Sequence, residues 1–302
     1  YLTNSLSSSP TGFDKNENSI QFELKKTILN HQLYGKLEKN LFGNRLGDLI
    51  NVSLISRNKK FNYAFSFNNL RKHSGFYFEL FESNYSEINW INELNSTKIN
   101  NINLEFISKA VGSLKFDYTT IDNYTFFDLK DTSLINEDQD LKLIPKVNQH
   151  NNTINYLKIK WQKEFNFGKF ALDNSFIFQN VYQNQNVLNL PDYIFRNTIY
   201  FSDHLFKRAM FLQTGLTFKY FSKYYANEYN PLISSFHIQE NKKIGNFPII
   251  DLFVNAKIKR TRLFLKAEHF NSTITGNDFY SSPSYPYRDF LIRFGLVWNF
   301  FN

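Results

Sequence analysis

Large apolar side chains occupy every second position of the last segment of the chain, residues 288–302. These alternating residues are Phe290, Ile292, Phe294, Leu296, Trp298 and Phe300. Because successive side chains of a β-strand point to opposite faces, the segment predicts a strand with one almost wholly apolar face and one mixed face. A water-soluble sheet would have to bury such a face against a second apolar layer.

The same period of two recurs along most of the chain. It is seen in the segments 61–67, 102–106, 114–118, 157–161, 170–178, 210–220, 250–258 and 263–267, and it is most regular near the end of the chain. The pattern is weaker before Ser108, where the candidate strands are 20–29, 33–39, 49–56, 76–82 and 88–95. Alternation of this kind, with hardly any helical spacing, predicts an antiparallel all-β protein.

The connections between these segments alternate in length. To test a membrane-spanning arrangement, we take the last strand to end on the periplasmic side and count back along the chain. The connections that then lie outside are long, and they are 271–287, 226–248, 182–192 and 128–152. The short inner turns are 259–261, 202–207 and 167–169. This order holds only if the apolar residues within 234–239 belong to an outer loop. Short periplasmic turns and long outer loops are typical of a transmembrane β-barrel.

The sequence therefore predicts one transmembrane β-barrel domain over residues 1–302, with residues 1–18 irregular. We expect roughly 14 strands, with 12 to 16 as the range, because single-chain barrels of this kind close with even numbers. The chain begins YLTNSLSSSP, without an initiator Met or a signal-like segment. Either a signal peptide has been removed or the chain is incomplete at its N-terminus.

Composition narrows the class of protein. Mean hydropathy is −0.43, and no run approaches the roughly 18 to 20 consecutive apolar residues of a spanning helix. Aromatic residues nevertheless make up 18% of the chain, with 34 Phe and 18 Tyr. In a membrane barrel, apolar residues alternate with polar ones along each strand, so the mean hydropathy stays low although one face of the strand is apolar. The absence of Cys excludes disulfide scaffolds, thiolate metal sites and a Cys nucleophile.

The chain is basic, with a formal net charge of +8 and a pI of about 9.3. Its Lys and Arg residues are spread along alternating strands, and no compact basic helix or arm appears. We therefore do not expect nucleic acid as a partner.

The last strand also carries a sequence pattern of polar, x, Gly, x, x, aromatic, x, aromatic. The matching residues are Arg293, Gly295, Trp298 and Phe300. The pattern resembles the C-terminal signal by which the barrel-assembly machinery recognises outer-membrane proteins. Gly295 would let the backbone approach its neighbour closely, and the two aromatic residues suit an interfacial girdle.

The second half resembles a known family. The stretches KEFNFGKFALDNSFIFQNV, LNLPDYIFRNTIYFSDHLFKRAMFLQTGLTFKYF, FPIIDLFVNAKIKRTRLFLKAEHFNSTITG and YPYRDFLIRFGLVWNFF are similar to the outer-membrane porins of Bacteroidetes-type bacteria. The resemblance is clearest over residues 153–302. It implies a barrel in the bacterial outer membrane, in contact with outer-membrane lipid and lipopolysaccharide, and it carries over no catalytic residue and no cofactor.

One functional hypothesis is a passive pore for small hydrophilic solutes. The candidate pore-lining residues on the mixed face are Lys158, Lys160, Lys219, Asp251, Asn255, Lys257, Lys259, Arg262, Lys266, Glu268 and Arg293. Cations outnumber anions among them, which predicts a weak preference for anions. The candidate constriction-loop residues are Asp128, Asp131, Glu137, Asp138 and Asp140. A solvated surface loop is the more common explanation for five such residues.

The alternative is a non-conducting barrel that serves as a structural subunit of a larger outer-membrane complex. Its partners would be copies of the same chain or other outer-membrane proteins. An enzyme is not expected, because the six histidines are isolated along the chain. His269 lies near Ser272, but no carboxylate follows at an interpretable spacing. No histidine pair has the spacing of a metal site.

Overall fold

The computed structural model describes residues 18–42, 47–56, 61–85, 87–131, 143–276 and 278–300. The first half of the chain forms β1 (Asn18–Ile28), β2 (His31–Phe42), β3 (Asp48–Ser56), β4 (Phe61–Lys72), α1 (Phe76–Glu79), β5 (Leu80–Phe81), β6 (Trp90–Ile91), β7 (Thr97–Ser108), β8 (Gly112–Asp122), β9 (Tyr124–Asp131) and β10 (Leu143–His150). The second half forms β11 (Ile154–Phe167), β12 (Phe170–Tyr182), β13 (Tyr193–Leu205), β14 (Met210–Phe221), β15 (Glu228–Asn230), β16 (Ser235–His237), β17 (Ile249–Ile258), β18 (Thr261–Glu268), α2 (Ser272–Thr275), β19 (Tyr280–Ser282), β20 (Tyr285–Pro286) and β21 (Leu291–Trp298). The irregular segment predicted for residues 1–18 lies outside the described residues, except that Asn18 begins β1.

Thirteen strands form one antiparallel sheet in the order β1-β2-β3-β4-β7-β8-β11-β12-β13-β14-β17-β18-β21. Each inner strand of this sheet therefore pairs with the two strands of the same sheet that precede and follow it in the chain. Within the described residues, β1 pairs with β2 alone and β21 with β18 alone, so these two strands form the edges of the sheet. The all-β antiparallel fold is confirmed. Thirteen strands in the described residues are an odd number, so the even count of roughly 14 and the closure into a barrel stay predictions.

From β4 onward the lengths of the connections alternate as the sequence predicts. At one end of the sheet the main strands are joined by the short turns 109–111, 168–169, 206–209 and 259–260. At the other end the long connections are 73–96, 123–153, 183–192, 222–248 and 269–290. The assignment of 234–239 to a long connection is confirmed, because β16 belongs to a separate small sheet.

Two of the predicted strands are wrong. Residues 76–82 form the short helix α1 followed by β5, and residues 88–95 contain only the two-residue strand β6. Both lie within the connection between β4 and β7. Most of their apolar side chains pack into a cluster around Ile88 and Phe127, and they do not alternate between two faces of a sheet. Local clustering therefore replaces the period of two in this stretch.

Three of the long connections fold against one another into a structure that we call the cap, formed by residues 73–85, 87–96, 123–131, 143–153 and 222–248. Strands β9 and β10 of one connection join β15 and β16 of another in a four-stranded sheet, ordered β10-β9-β16-β15. The cap has its own apolar core, formed by Ile88, Phe127, Val147 and Ile233. A folded core of this kind makes the cap a structured element instead of a set of independent loops.

Burial in the main sheet is the reverse of that in a water-soluble protein. On the apolar face, one row across four strands consists of Leu216, Leu252, Ala267 and Ile292, and Ile292 is 55% exposed. On the opposite, polar face the neighbouring row contains Asp251, which is only 1% exposed. Apolar residues that face outward and charged residues that face inward are expected where lipid replaces water as the outer solvent.

Among the residues that the structure describes, no helix is long and apolar enough to cross a membrane.

Candidate functional site

The polar face between β11 and β18 brings together charged and hydroxyl side chains from five strands. Cross-strand pairing places Glu164, Asp173, Thr198, Thr217 and Asp251 in one row. The hydroxyl oxygens of Thr198 and Thr217 lie 3.1 Å apart and are hydrogen-bonded. Alternation within each strand puts these side chains on one face, and the register between strands puts them side by side.

Asp251 is the buried centre of this region. Its Oδ2 accepts from Lys219 Nζ at 2.6 Å and lies 3.4 Å from Lys266 Nζ. Its Oδ1 accepts the backbone N–H of His269 at 3.0 Å. A buried carboxylate is stable only with partners of this kind, so Asp251 holds the side chains of Lys219 and Lys266 against the polar face of the sheet.

Glu268 extends the arrangement to the edge of the sheet. Its carboxylate lies 2.8 Å from Lys266 Nζ, 2.8 Å from Arg288 and 3.3 Å from Arg293. We call these six residues the ion network: Lys219, Asp251, Lys266, Glu268, Arg288 and Arg293. Four cationic side chains surround two carboxylates, which leaves the ion network with a formal charge of +2.

An open pocket of about 450 Å³ lies on the polar face beside the ion network. Its polar lining comes from Glu164, Asp173, Arg196, Thr198, Tyr200, Gln213, Thr217, Lys219, Asp251, Asn255 and Lys266. Phe253 and Phe264 supply an aromatic part of the wall. Tyr200 donates its hydroxyl to Glu164 at 3.0 Å. We call this cavity the wall pocket.

Three charged residues of the wall pocket are exposed and take no part in an ion pair within the described part of the chain: Glu164 on β11, Asp173 on β12 and Arg196 on β13. Glu164 is hydrogen-bonded to Tyr200. Arg196 pairs across the strands with Lys219, and Asp173 pairs with Thr198. Their charged groups are therefore open to the contents of the pocket.

Most of the predicted pore-lining residues share the polar face. Asp251, Asn255 and Lys257 alternate along β17, and Arg262, Lys266 and Glu268 alternate along β18. Arg293 lies opposite Lys266 on β21. Lys259 differs, since it lies in the turn after β17 with φ of +50°. Whether these residues line a pore stays a prediction.

Lys158 and Lys160 lie on the same face but away from the ion network. They belong to β11, where they pair across the sheet with Asp117 and Lys115 of β8. Lys115 forms an ion pair of 3.0 Å with Glu105. This part of the polar face is therefore a second charged region, distinct from the wall pocket.

The predicted constriction loop falls largely outside the described residues. Glu137, Asp138 and Asp140 lie there, and Asp131 ends β9. Asp128 lies in the cap, where its carboxylate accepts from the backbone N–H of Leu129 at 2.8 Å and from Asn148 at 3.4 Å. Constriction by these carboxylates stays a prediction.

Sequence reasoning missed a ladder of amide side chains across the polar face. Asn51 donates to Asn68, Asn68 donates to Asn101 at 3.4 Å, and Asn101 donates to Thr119 at 2.9 Å. These residues belong to β3, β4, β7 and β8 and are cross-strand neighbours. Their position in the alternation was readable from the sequence, but the register that joins them was not.

The C-terminal pattern has a direct structural basis at three of its four positions. The ring of Phe264 on β18 occupies the space that a side chain at Gly295 would need. Trp298 and Phe300 stack with ring centroids 4.6 Å apart at the end of the sheet that carries the short turns. Recognition of this segment during assembly stays a prediction.

The described residues offer little support for catalytic or metal chemistry. His269 is buried, and its Nδ1 lies 2.8 Å from the carbonyl oxygen of Arg288. In the described ranges, no group of three or more His, Asp or Glu side chains could hold a metal ion.

A meandering antiparallel sheet with one exposed apolar face and one face that carries polar and charged side chains is typical of outer-membrane β-barrel proteins. The family described as "Putative porin" matches residues 2–302, and the chain belongs to this family. The porin family implied by the second half is thereby confirmed, over nearly the whole chain. The Bacteroidetes-type origin stays a prediction. The protein is located in the bacterial outer membrane.

Similar solved structures have the same fold. The ferric enterobactin receptor PfeA of Pseudomonas aeruginosa matches with a TM-score of 0.63 at 10% identity, over 93% of this chain and 45% of the receptor. The siderophore receptor PirA from Acinetobacter baumannii gives 0.60 at 12% identity, over 93% and 45%. The FrpB iron transporter from Neisseria meningitidis gives 0.60 at 10% identity, over 93% and 44%.

These identities show the fold alone. This chain spans less than half the length of each of these three proteins. No curated protein sequence matches this one.

Proposed function

We propose that the chain forms the wall of an outer-membrane porin that lets small hydrophilic solutes diffuse passively, with a weak preference for anions. In this proposal the sheet closes into a barrel, the polar face lines the lumen and the apolar face contacts lipid. The long connections lie outside the cell and the short turns in the periplasm, as in other outer-membrane barrels.

The observation that carries the proposal is the ion network. A water-filled lumen keeps charged side chains hydrated, whereas a dry interior would not tolerate four cations around two carboxylates. The excess of positive charge raises the local concentration of anions and lowers that of cations. Lys257 and Arg262, which form no ion pair in the described ranges, add to the same effect.

Reversal potentials test this proposal. The full protein in planar lipid bilayers, under a salt gradient, should conduct and show a modest preference for chloride over potassium. The preference should weaken as salt rises, because exposed charges are screened. Cation selectivity, or a closed barrel that conducts no ions, would contradict the proposal.

A second candidate function is a non-conducting structural subunit of a larger envelope complex. The cap supports it, since its apolar core holds the long connections in a fixed shape with exposed aromatic residues such as Tyr85 and Phe236. Fixed surfaces with exposed aromatics suit protein contacts. Purification from native membranes distinguishes the two functions, because a stoichiometric partner favours the structural subunit.

The partners that follow from the porin proposal are outer-membrane lipid and lipopolysaccharide around the apolar face. The barrel-assembly machinery would bind the chain during insertion. Further copies of the chain or other outer-membrane proteins would be its neighbours in the membrane. No enzymatic activity and no cofactor is proposed.

A further inference from the structure

We infer that the wall pocket binds short zwitterionic peptides, of two to three residues, as they pass along the polar face. This inference rests on the proposed porin function and names a solute class for it. The exposed charges in the wall pocket are separated: the carboxylates of Glu164 and Asp173 lie at one side and the basic groups at the other, where Asp251 is buried between two lysines. Two buried threonine hydroxyls lie between the two sides.

The acidic side is formed by β11 and β12. Asp173 is exposed and has no ion pair within the described residues, and Glu164 lies directly opposite it on the next strand. Glu164 is held in place by the Tyr200 hydroxyl at 3.0 Å and by the Asn166 amide at 3.1 Å. The open carboxylate of Asp173 is thus a natural acceptor for a peptide's terminal ammonium group.

The basic side is formed by β13, β14 and β18. Arg196 is exposed and lies opposite Lys219, while Lys266 lies opposite Phe253. Asp251 offsets only one of the two lysine charges, because it is shared by Lys219 and Lys266, so one net positive charge remains beside Arg196. The Arg196 guanidinium group can therefore bind a carboxylate with two parallel hydrogen bonds.

The spacing between the two sides fits a short peptide. Asp173 and Arg196 lie diagonally across neighbouring strands, since Asp173 pairs with Thr198, which puts their backbones roughly 7–8 Å apart. Lys219 lies one strand further, on β14, at roughly 10–12 Å from Asp173. Extended peptide spans up to about 3.5 Å per residue, so the termini of a dipeptide or tripeptide match these separations. A free amino acid is too short to reach both sides.

The centre of the wall pocket offers matching groups for the middle of such a peptide. The hydroxyls of Thr198 and Thr217 and the amide of Gln213 can bond to peptide N–H and C=O groups. Phe253 and Phe264 provide an apolar surface for a small side chain. Few polar groups set against an apolar wall are typical of small-molecule sites.

Binding of three matched probes to the purified full chain in detergent tests the inference. The probes are trialanine, N-acetyl-trialanine, which lacks the ammonium charge, and trialanine amide, which lacks the carboxylate. We expect trialanine to bind roughly three- to tenfold more tightly than either capped form, as calorimetric titration would measure.

Two variants assign the two ends of the peptide. Asp173→Asn should weaken trialanine binding by roughly the same factor and leave N-acetyl-trialanine unchanged. Arg196→Gln should weaken trialanine and leave trialanine amide unchanged. Both residues are exposed and lack ion pairs in the described ranges, so both variants are expected to fold. Lys25→Gln, at an exposed position of β1 outside the wall pocket, is the charge-matched control and should change none of the affinities.

The outcomes separate this inference from the porin proposal. Equal binding of the three probes, no measurable binding of trialanine, or an equal effect of Asp173→Asn on the free and acetylated peptides would overturn the inference. Conductance with none of the predicted binding would leave the porin proposal standing. Selective binding without conductance would support the wall pocket and contradict the porin proposal.

Discussion

Phe264 and Gly295 face each other across the last two strands of the sheet. The phenyl ring fills the space above the glycine, so any side chain at position 295 would collide with it. Gly295→Ala should therefore destabilise the folded protein by about 1–3 kcal/mol, because the ring must leave its position. The temperature at which the detergent-solubilised protein loses its compact electrophoretic migration measures this change.

Gly35 provides the matched control. It lies in the middle of β2, and nothing lies within 4 Å of the position that a Cβ atom would take. Gly35→Ala should therefore change the unfolding temperature little or raise it slightly, because alanine restricts the unfolded chain. Equal losses for the two variants would show that the ring of Phe264 is not the cause.

Asp251 and Asp173 offer a second matched comparison at the residue scale. Asp251→Asn removes a buried charge that holds two lysines, and we expect a loss of about 1–3 kcal/mol in the free energy of unfolding. Asp173→Asn should change it by less than about 0.5 kcal/mol, since this side chain is exposed and without an ion pair in the described ranges. Denaturant titration in detergent measures both values, and a larger loss for Asp173→Asn would contradict the assignment.

The cap is the element whose stability we expect to be separable from that of the sheet. Phe127 is 2% exposed in its core and contacts the rings of Tyr77, Phe78 and Trp90. Phe127→Ala should cost the cap about 3–5 kcal/mol and make its connections susceptible to proteases. The sheet should keep its compact migration. Ile91→Ala, at an exposed position of β6, is the control and should leave the rate of cleavage unchanged.

The cap should also respond to acid through His237. This side chain is buried, and neither ring nitrogen has a hydrogen-bond partner among the described residues. Burial lowers the pKa of His237 below its ordinary value, while attraction to Glu228 and Asp128 works in the opposite direction. The ring is therefore neutral in the folded cap at neutral pH.

The sign of the pH effect follows from this lowered pKa. Below the ordinary histidine pKa of about 6.5, the unfolded cap takes up a proton that the folded cap does not, so the stability of the cap falls as pH falls. Proteolysis of the long connections should be faster at about pH 5.5 than at about pH 7.5, and His237→Phe should reduce the difference. A pH effect of the same size in the variant would assign the response to other groups.

At the scale of elements, alternation predicted the long strands well, because each strand of a membrane barrel has one lipid-facing and one water-facing side. It predicted strands wrongly at residues 76–82 and 88–95. The large side chains of Tyr77, Phe81 and Trp90 there pack against the apolar core of the cap instead of facing lipid. These residues form a local core with Phe127 of a distant connection. A period of two in a short segment cannot distinguish the two causes.

At the scale of the whole molecule, the sequence predicted the face of each charged residue but not its neighbours. Lys219, Asp251 and Lys266 were assigned to one face by parity, yet their contacts depend on the register between β14, β17 and β18. Arg288 joins the ion network from a long connection, where no periodicity applies. Register and loop folding are set by packing across strands, which a single sequence does not display.

The central claim is that the apolar face lies against lipid while the polar face is in contact with water. Single cysteines test it directly, because the natural chain has none. In intact membranes, a water-soluble maleimide should label cysteines at Asn255 and Lys257 and fail to label cysteines at Val254 and Ala256 on the opposite face of β17. Equal labelling at all four positions would contradict the claim, since it would place water on both faces of the sheet.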